Sequence, residues 1–327
     1  MIASPWKWLR TRALSVPLQE VLLERRGFVA KDAASATRLE GIGASFLAGY
    51  HTALADEGTE PLQISLDDYP DEQRGFAYEG AAMALWILDA LSPLSRHRWT
   101  TFIALAAPSQ PYITHVGVGW ALARLPWSRR RPERALASLD PTLGWLAIDG
   151  YGFHEGYFHT DQWIYTPSHR PAFSRYANRA FDQGLGRSLW FVEGTDVDRI
   201  ARRIQTFDAY RHEDLWSGVG LACAYAGQAT QPELESLMLL AGDYLPSLRQ
   251  GITFGAEARI RAGIANPHTE QTCWIVCDMD AQSAAALTRA TRVAAEQSPS
   301  TSDCPTYESW RMRLRQCLTH QHAKVLL

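Results

Sequence analysis

The chain has 327 residues, 46% of them hydrophobic and 20% charged, with a formal net charge of −3. That balance describes a folded globular protein and excludes a global charge excess aimed at nucleic acid or anionic lipid. The longest apolar run, AAMALWIL from Ala81, falls far short of the roughly 18–20 residues of a membrane span.

Helical signals dominate along the chain, and strand signals are nearly absent. The N-terminal stretch MIASPWKWLRTRALSVPLQEVLLERR has no long apolar segment, so no signal peptide is expected. SATRLEGIGASFLAGYHTALA reads as a helix with Ser35 as its cap, followed by a turn-rich acidic loop, EGTEPLQISLDDYPDEQ. GFAYEGAAMALWILDAL from Gly75 is apolar all round, hence a buried central helix. HVGVGWALARL is a helix ending near Pro126, and the basic stretch SRRRPER from Ser128 reads as a solvated connection. TLGWLAIDGYGFHEGYFH is the next helix, and TDQWIYTPSHRP an aromatic loop. RYANRAFDQGLGRSLWFVEG is helical, and DVDRIARRIQTF is amphipathic with Asp196 at its dipole-favoured start. DLWSGVGLACAYAG closes at Gly227, and the stretch from Pro232 is one long helix expected to kink near Pro246. Two more helices follow Pro267, the last near Tyr307 and peripheral. The expected division is an N-terminal segment 1–34, a helical-repeat domain 35–297 and a C-terminal helix and tail 298–327.

GxG occurs at Gly117, Gly150, Gly184 and Gly218, in steps of 33, 34 and 34 residues, with a distant copy in RGFAYEGAAM. A period near 34 matches a two-helix repeat, and stacked repeats bury a core that none could bury alone. The expected fold is an all-α, single-domain array, solenoid-like or α/α. Glycine inside a helix costs roughly 1 kcal/mol relative to alanine, so the pairs must return either close helix approach or ligand access to backbone.

The densest polar cluster is GYGFHEGYFHTD, with Asp149, His154, Glu155, His159 and Asp161. The zinc-protease signature needs histidines four apart on one helical face. Here they are five apart, roughly 140° round a helix, so no metal is expected there. Glu155 and His159 share a face and form a candidate acid–base pair, beside His154. Glu79 is the only ionisable residue between Gly75 and Leu88. A buried carboxyl of that kind pairs or stays protonated, which makes Glu79 a candidate general acid. Phe153, Tyr157, Trp190, Trp216 and Tyr225 are candidate cavity-lining aromatics. Asp182 and Glu193 are read as ion-paired. Asp67, Asp68 and Asp71 have DDxxD spacing, as in magnesium-diphosphate sites, but Pro70 interrupts it and a surface loop is the simpler reading. Cys273 and Cys277 lack a second metal half-site, and five cysteines without framework spacing suit free thiols in a reducing cytoplasm. No phosphate-binding loop and no nucleophile elbow are present, and no cofactor is expected.

The segments RRGF at Arg25, LEGIGASFLAGY at Leu39, RGFAYEGAAMAL at Arg74, DGYGFHEGYFH at Asp149, RAFDQGLGRSLWFVEGTD at Arg179, DLWSGVGLACAYAG at Asp214 and PHTE at Pro267 give the chain a resemblance. It resembles the bacterial domain-of-unknown-function 1702 family, whose members recur in enediyne and related natural-product gene clusters. The resemblance implies a cytoplasmic protein of secondary metabolism whose partner molecule is a polyene, polyketide or isoprenoid, and it carries no assigned catalytic residue. The leading expectation is an enzyme that isomerises or cyclises a hydrophobic polyene by acid–base chemistry. A non-catalytic helical-repeat scaffold for a biosynthetic synthase and a diphosphate-dependent terpene cyclase are the alternatives.

Overall fold

A computed structural model describes residues 5–55, 59–92 and 97–325, and the protein is all-α, with no strand among the described residues. Nine long helices carry the fold: α1 (Ala33–Ala55), α2 (Asp71–Leu91), α3 (Pro111–Arg124), α4 (Trp145–Phe158), α5 (Arg175–Val192), α6 (Ala209–Ala226), α7 (Leu245–Arg261), α8 (Ala281–Glu296) and α9 (Thr306–Val325). Each packs beside the next in chain order.

The glycine pairs explain that order. Residues i and i+2 of a helix lie about 200° apart, so they face opposite sides. Gly117 faces the carbonyl of Glu79 on the preceding helix, while Gly119 faces that of Ala147 on the following one. Gly150 and Gly152 face Val116 and Phe181, Gly184 and Gly186 face Asp149 and Leu215, and Gly218 and Gly220 face Gln183 and Leu248 in the same way. A Cβ at any of these eight positions would overlap a neighbouring backbone oxygen. Packing, rather than ligand access, is therefore what the glycines provide.

Some side-chain contacts between neighbours fall near the sequence period, while others, such as Ser45–Gln73 and Arg187–Asp149, lie 28 and 38 residues apart. Arg38 Nη1 bonds Glu72 Oε2, Arg179 Nε bonds Asp214 Oδ2, Ser217 Oγ bonds Gln250 Oε1, and Thr288 Oγ1 bonds the Thr253 carbonyl, at separations of 34, 35, 33 and 35 residues. Arg179–Asp214 lies toward the N-terminal ends of α5 and α6, while Trp190 Nε1 reaches the Gly227 carbonyl just past the C-terminal end of α6. Neighbouring helices therefore run in the same direction, and each connection must return along the array. In the second half it does so through short helices, Val197–Gln205, Gln231–Ala241 and Pro267–Thr272. Val197–Gln205 buries Ile200, Ala201 and Ile204 and leaves Arg202 in solvent, with Asp196 as its N-cap, accepting from Arg199 N at 2.9 Å.

The array curls on itself. Tyr112 Oη of α3 reaches Glu257 Oε1 of α7 at 3.1 Å, Gln183 of α5 meets Tyr307 of α9 at 3.0 Å, and Arg38 of α1 bonds the Ala226 carbonyl of α6 at 3.0 Å.

Several local expectations change. Residues Thr59–Asp67 within the expected acidic loop form a helix. The stretch from Pro232 breaks rather than kinks: a 3-10 turn, Gly242–Tyr244, separates two helices, and Pro246 starts the second, where its missing N–H is harmless. The last helix is not peripheral, because Tyr307, Trp310 and Arg311 are fully buried.

Substituting Gly184→Ala should destabilise the protein by roughly 1–3 kcal/mol or more, because its Cβ meets rigid backbone of α4. Gly41→Ala, whose Cβ would find only the end of the Gln73 side chain at 4.0 Å, should be neutral or stabilising by about 0.5–1 kcal/mol. Denaturant unfolding of the two variants checks the contrast, and equal effects would remove the packing explanation.

Candidate functional site

The glycine geometry also determines what faces inward. The residue after each pair lies about 60° from the first glycine and 100° from the second, measured round the axis. It therefore points between the two neighbours, on one side of the layer. These residues are Trp120, Phe153, Arg187 and Leu221. Trp120 and Phe153 line one apolar pocket, and Arg187 and Leu221 line a smaller cavity with Tyr112 and Tyr225.

The larger pocket lies among α1, α2, α3 and α4, a narrow apolar cavity of about 60 Å³. Phe46, Phe76, Met83, Trp120, Phe153 and Tyr157 form its walls, Phe191 of α5 closes one side, and Val16 and Val21 of the N-terminal segment another. The rings meet mainly edge to face, as between Trp120 and Phe153 at 5.2 Å. Arg124 stands among the lining residues at the last turn of α3.

Two carboxyl groups line this pocket: Glu20, paired with Arg25 and Arg26, and the buried Glu79. Glu79 is 1% exposed, and its Oε1 has no hydrogen-bond partner among the described residues. Burial pushes its pKa up to about 8, opposed by the Arg187 charge and the Trp120 indole and reinforced by Asp149. The indole is near enough to act on the acid, yet Trp120 Nε1 also makes no aligned hydrogen bond. Arg187 cannot neutralise Glu79 fully because it is committed to Asp149 Oδ1 in a buried ion pair. At neutral pH the Glu79 carboxyl is mostly protonated in an apolar, aromatic setting.

His154 lines the same pocket and Glu155 lies behind it: His154 Nδ1 is 3.1 Å from Glu155 Oε1. Trp163 Nε1 donates to Glu155 Oε2 at 3.0 Å, and His159 Nδ1 stands 3.2 Å from the same oxygen without hydrogen-bond alignment. α4 ends at Phe158. His159, with φ −125° and ψ 45°, still closes a helical bond from its N–H to the Glu155 carbonyl, and its ring lies one turn beyond that carboxylate. His154, Glu155 and His159 thus bring three ligand-type atoms within 4.8 Å of one another. Glu155 and His159 face each other as expected but do not line the pocket.

The remaining candidates divide. Phe153 and Tyr157 are in the wall. Trp190 and Trp216 are buried core, not lining, with the Trp190 indole spent on the Gly227 carbonyl. Tyr225 faces the smaller cavity and touches the larger pocket only through Phe76, at 5.2 Å. Asp182 pairs with Arg211 and Arg170, and Glu193 with Arg203. Asp67 accepts from Tyr78 Oη, and Asp71 pairs with Arg74, so the acidic triplet is not a convergent site. Cys273 and Cys277 are buried thiols. Trp120, Phe46 and Phe191 were missed, although the place of Trp120 directly after a glycine pair was a usable signal.

A family model described as a protein of unknown function (DUF1702) matches residues 5–318, and the chain belongs to that family. No curated protein and no solved structure matches the chain.

The Glu79 shift has a measurable sign. Its folded pKa, about 8, stands above the ordinary 4.5, so the folded state holds a proton that the unfolded chain releases between those values. The stability this proton contributes is fully present below pH 4.5 and is lost as pH rises through about 8. Glu79→Gln removes that dependence. The stability of wild type relative to Glu79→Gln should therefore fall steadily across this window in denaturant titrations. A flat difference would mean that the carboxyl titrates normally.

Proposed function

We propose that this protein is an enzyme of natural-product biosynthesis that binds a hydrophobic polyene in the pocket of Glu79 and isomerises or cyclises it by proton transfer. The observation that carries this reading is a buried, protonated carboxyl, its Oε1 without a hydrogen-bond partner among the described residues, in a largely apolar pocket rich in aromatic side chains. A general acid for a carbon–carbon double bond needs a dry pocket that raises its pKa and holds it beside the substrate. Glu79 gives its proton to one alkene carbon, and the cation that forms on the adjacent carbon lies among the faces of Phe46, Trp120, Phe153 and Tyr157, which attract positive charge. The Glu79 carboxylate, now facing that cation, takes a proton from a neighbouring carbon and a new double bond forms. One proton enters and one leaves, so the reaction balances without an oxidant or reductant. Arg187 sits behind the acid, and its field eases the transient carboxylate. The natural-product context rests on the family resemblance, and the polyene class on the apolar, ring-lined pocket.

The diphosphate alternative loses support because Asp67, Asp68 and Asp71 are not in the pocket wall.

Incubating the purified protein with polyene extracts of a producing strain in deuterated water tests the proposal. Wild type should place one deuterium on the product skeleton. Glu79→Gln should lower turnover by about 10²–10⁴-fold, the usual share of a general acid, while keeping its fold. Product made without deuterium, or full turnover by Glu79→Gln, would overturn the assignment.

A further inference from the structure

We infer that His154, Glu155 and His159 form a binding site for one divalent first-row transition-metal ion at the C-terminal end of α4, beside the wall of the pocket. Two imidazole Nδ1 atoms and a carboxylate supply the donors, all within 4.8 Å of one another. Metal bonds of about 2.0–2.2 Å to nitrogen and oxygen place neighbouring donors roughly 3–3.5 Å apart. His154 Nδ1 lies 3.1 Å from Glu155 Oε1 and His159 Nδ1 3.2 Å from Oε2, so an ion between the rings would meet one nitrogen beside each carboxylate oxygen. Two histidines and one carboxylate suit zinc, iron(II) or manganese(II), with water or a ligand group completing the shell.

Three further features favour a cation at this point. His159 Nδ1 is a buried nitrogen that faces the carboxylate without making a hydrogen bond, so its lone pair has no other use among the described residues. Glu155 is 4% exposed, and no lysine or arginine pairs with it among the described residues; its only basic contacts are the two imidazoles. The site also sits at a helix C-terminus, where the backbone dipole favours positive charge. Trp163 Nε1, donating to Glu155 Oε2 at 3.0 Å, is the outer-shell donor that fixes the carboxylate. The His159 side chain, 38% exposed, gives the ion a path from solvent. The arrangement differs from the helical zinc-protease pair in that the carboxylate donor stands between the histidines, next to one in sequence and one turn before the other.

Full-length protein stripped with chelator and titrated with cobalt(II) should develop visible d–d bands saturating at one equivalent, and zinc(II) should abolish them. His159→Ala changes a partly exposed side chain and should fold normally, as circular dichroism would report. It should weaken cobalt binding by more than the roughly 10–100-fold that loss of an outer-shell partner costs. His212→Ala is the control, since that ring contacts the Phe207 carbonyl and Tyr244, neither of them part of the cluster, and it should bind as wild type does. Absence of d–d bands at millimolar cobalt, or unchanged binding by folded His159→Ala, would overturn the site.

Discussion

The close approach of parallel helices at the glycine pairs is the constraint on which the rest depends. Each pair removes two side chains on opposite faces of one helix, letting both neighbours come to backbone contact. The penalty for glycine in a helix, roughly 1 kcal/mol per residue, is offset by the dispersion contacts that short distances allow. Because the pair fixes which faces meet the neighbours, it fixes the residue after it as inward-facing. The pocket wall is thus a consequence of the packing rule: Trp120 and Phe153 occupy equivalent places on adjacent helices, and their rings meet at 5.2 Å.

The same tight interior sorts the buried charges. Glu308 is held well below the usual carboxylate range although burial opposes it, because Arg311, Arg315 and Arg179 surround it. Asp214 and Asp182 each have bonded guanidinium partners. Breaking any of these would strand a buried charge, at about 3–5 kcal/mol. Glu155 has two imidazoles in place of a guanidinium, and Glu79 has no bonded base of either kind among the described residues. The arginine within reach, Arg187, is already bonded to Asp149, so the acid meets burial by keeping its proton. A side chain whose partner is taken, in a pocket rich in aromatic rings, is the kind of unsatisfied group that stability alone does not explain.

Much of the architecture was legible because it rests on short-range periodicity. The 34-residue step, the buried helix around Glu79 and the closure at Gly227 all follow from local pattern. What failed depends on tertiary context. The residues Thr59–Asp67 look like a loop in composition, yet Leu62 and Leu66 bury against the fold and hold them helical. The last helix looks peripheral from its charges, but Arg311 and Glu308 are buried together, each paired. Trp190 and Trp216 were read as lining from residue type alone, and which face of its helix each occupies depends on packing that residue type does not reveal.

The polar cluster of α4 is built on its last turn. His159 is the last residue whose N–H closes a helical bond, to the Glu155 carbonyl, and its ring lies one turn beyond that carboxylate. With His154 beside Glu155 in sequence, both rings meet one carboxylate while His154 still faces the pocket. Phe158 itself is held in place, its ring 4.8 Å from His154 and under the Arg26 guanidinium at 4.9 Å. The N-terminal segment, through Arg26, Val16 and Val21, therefore both closes the pocket and braces the helix end on which the cluster is built. Pocket and cluster share one wall residue, His154, so a change in what the cluster holds would be felt first as a change in the orientation of that ring.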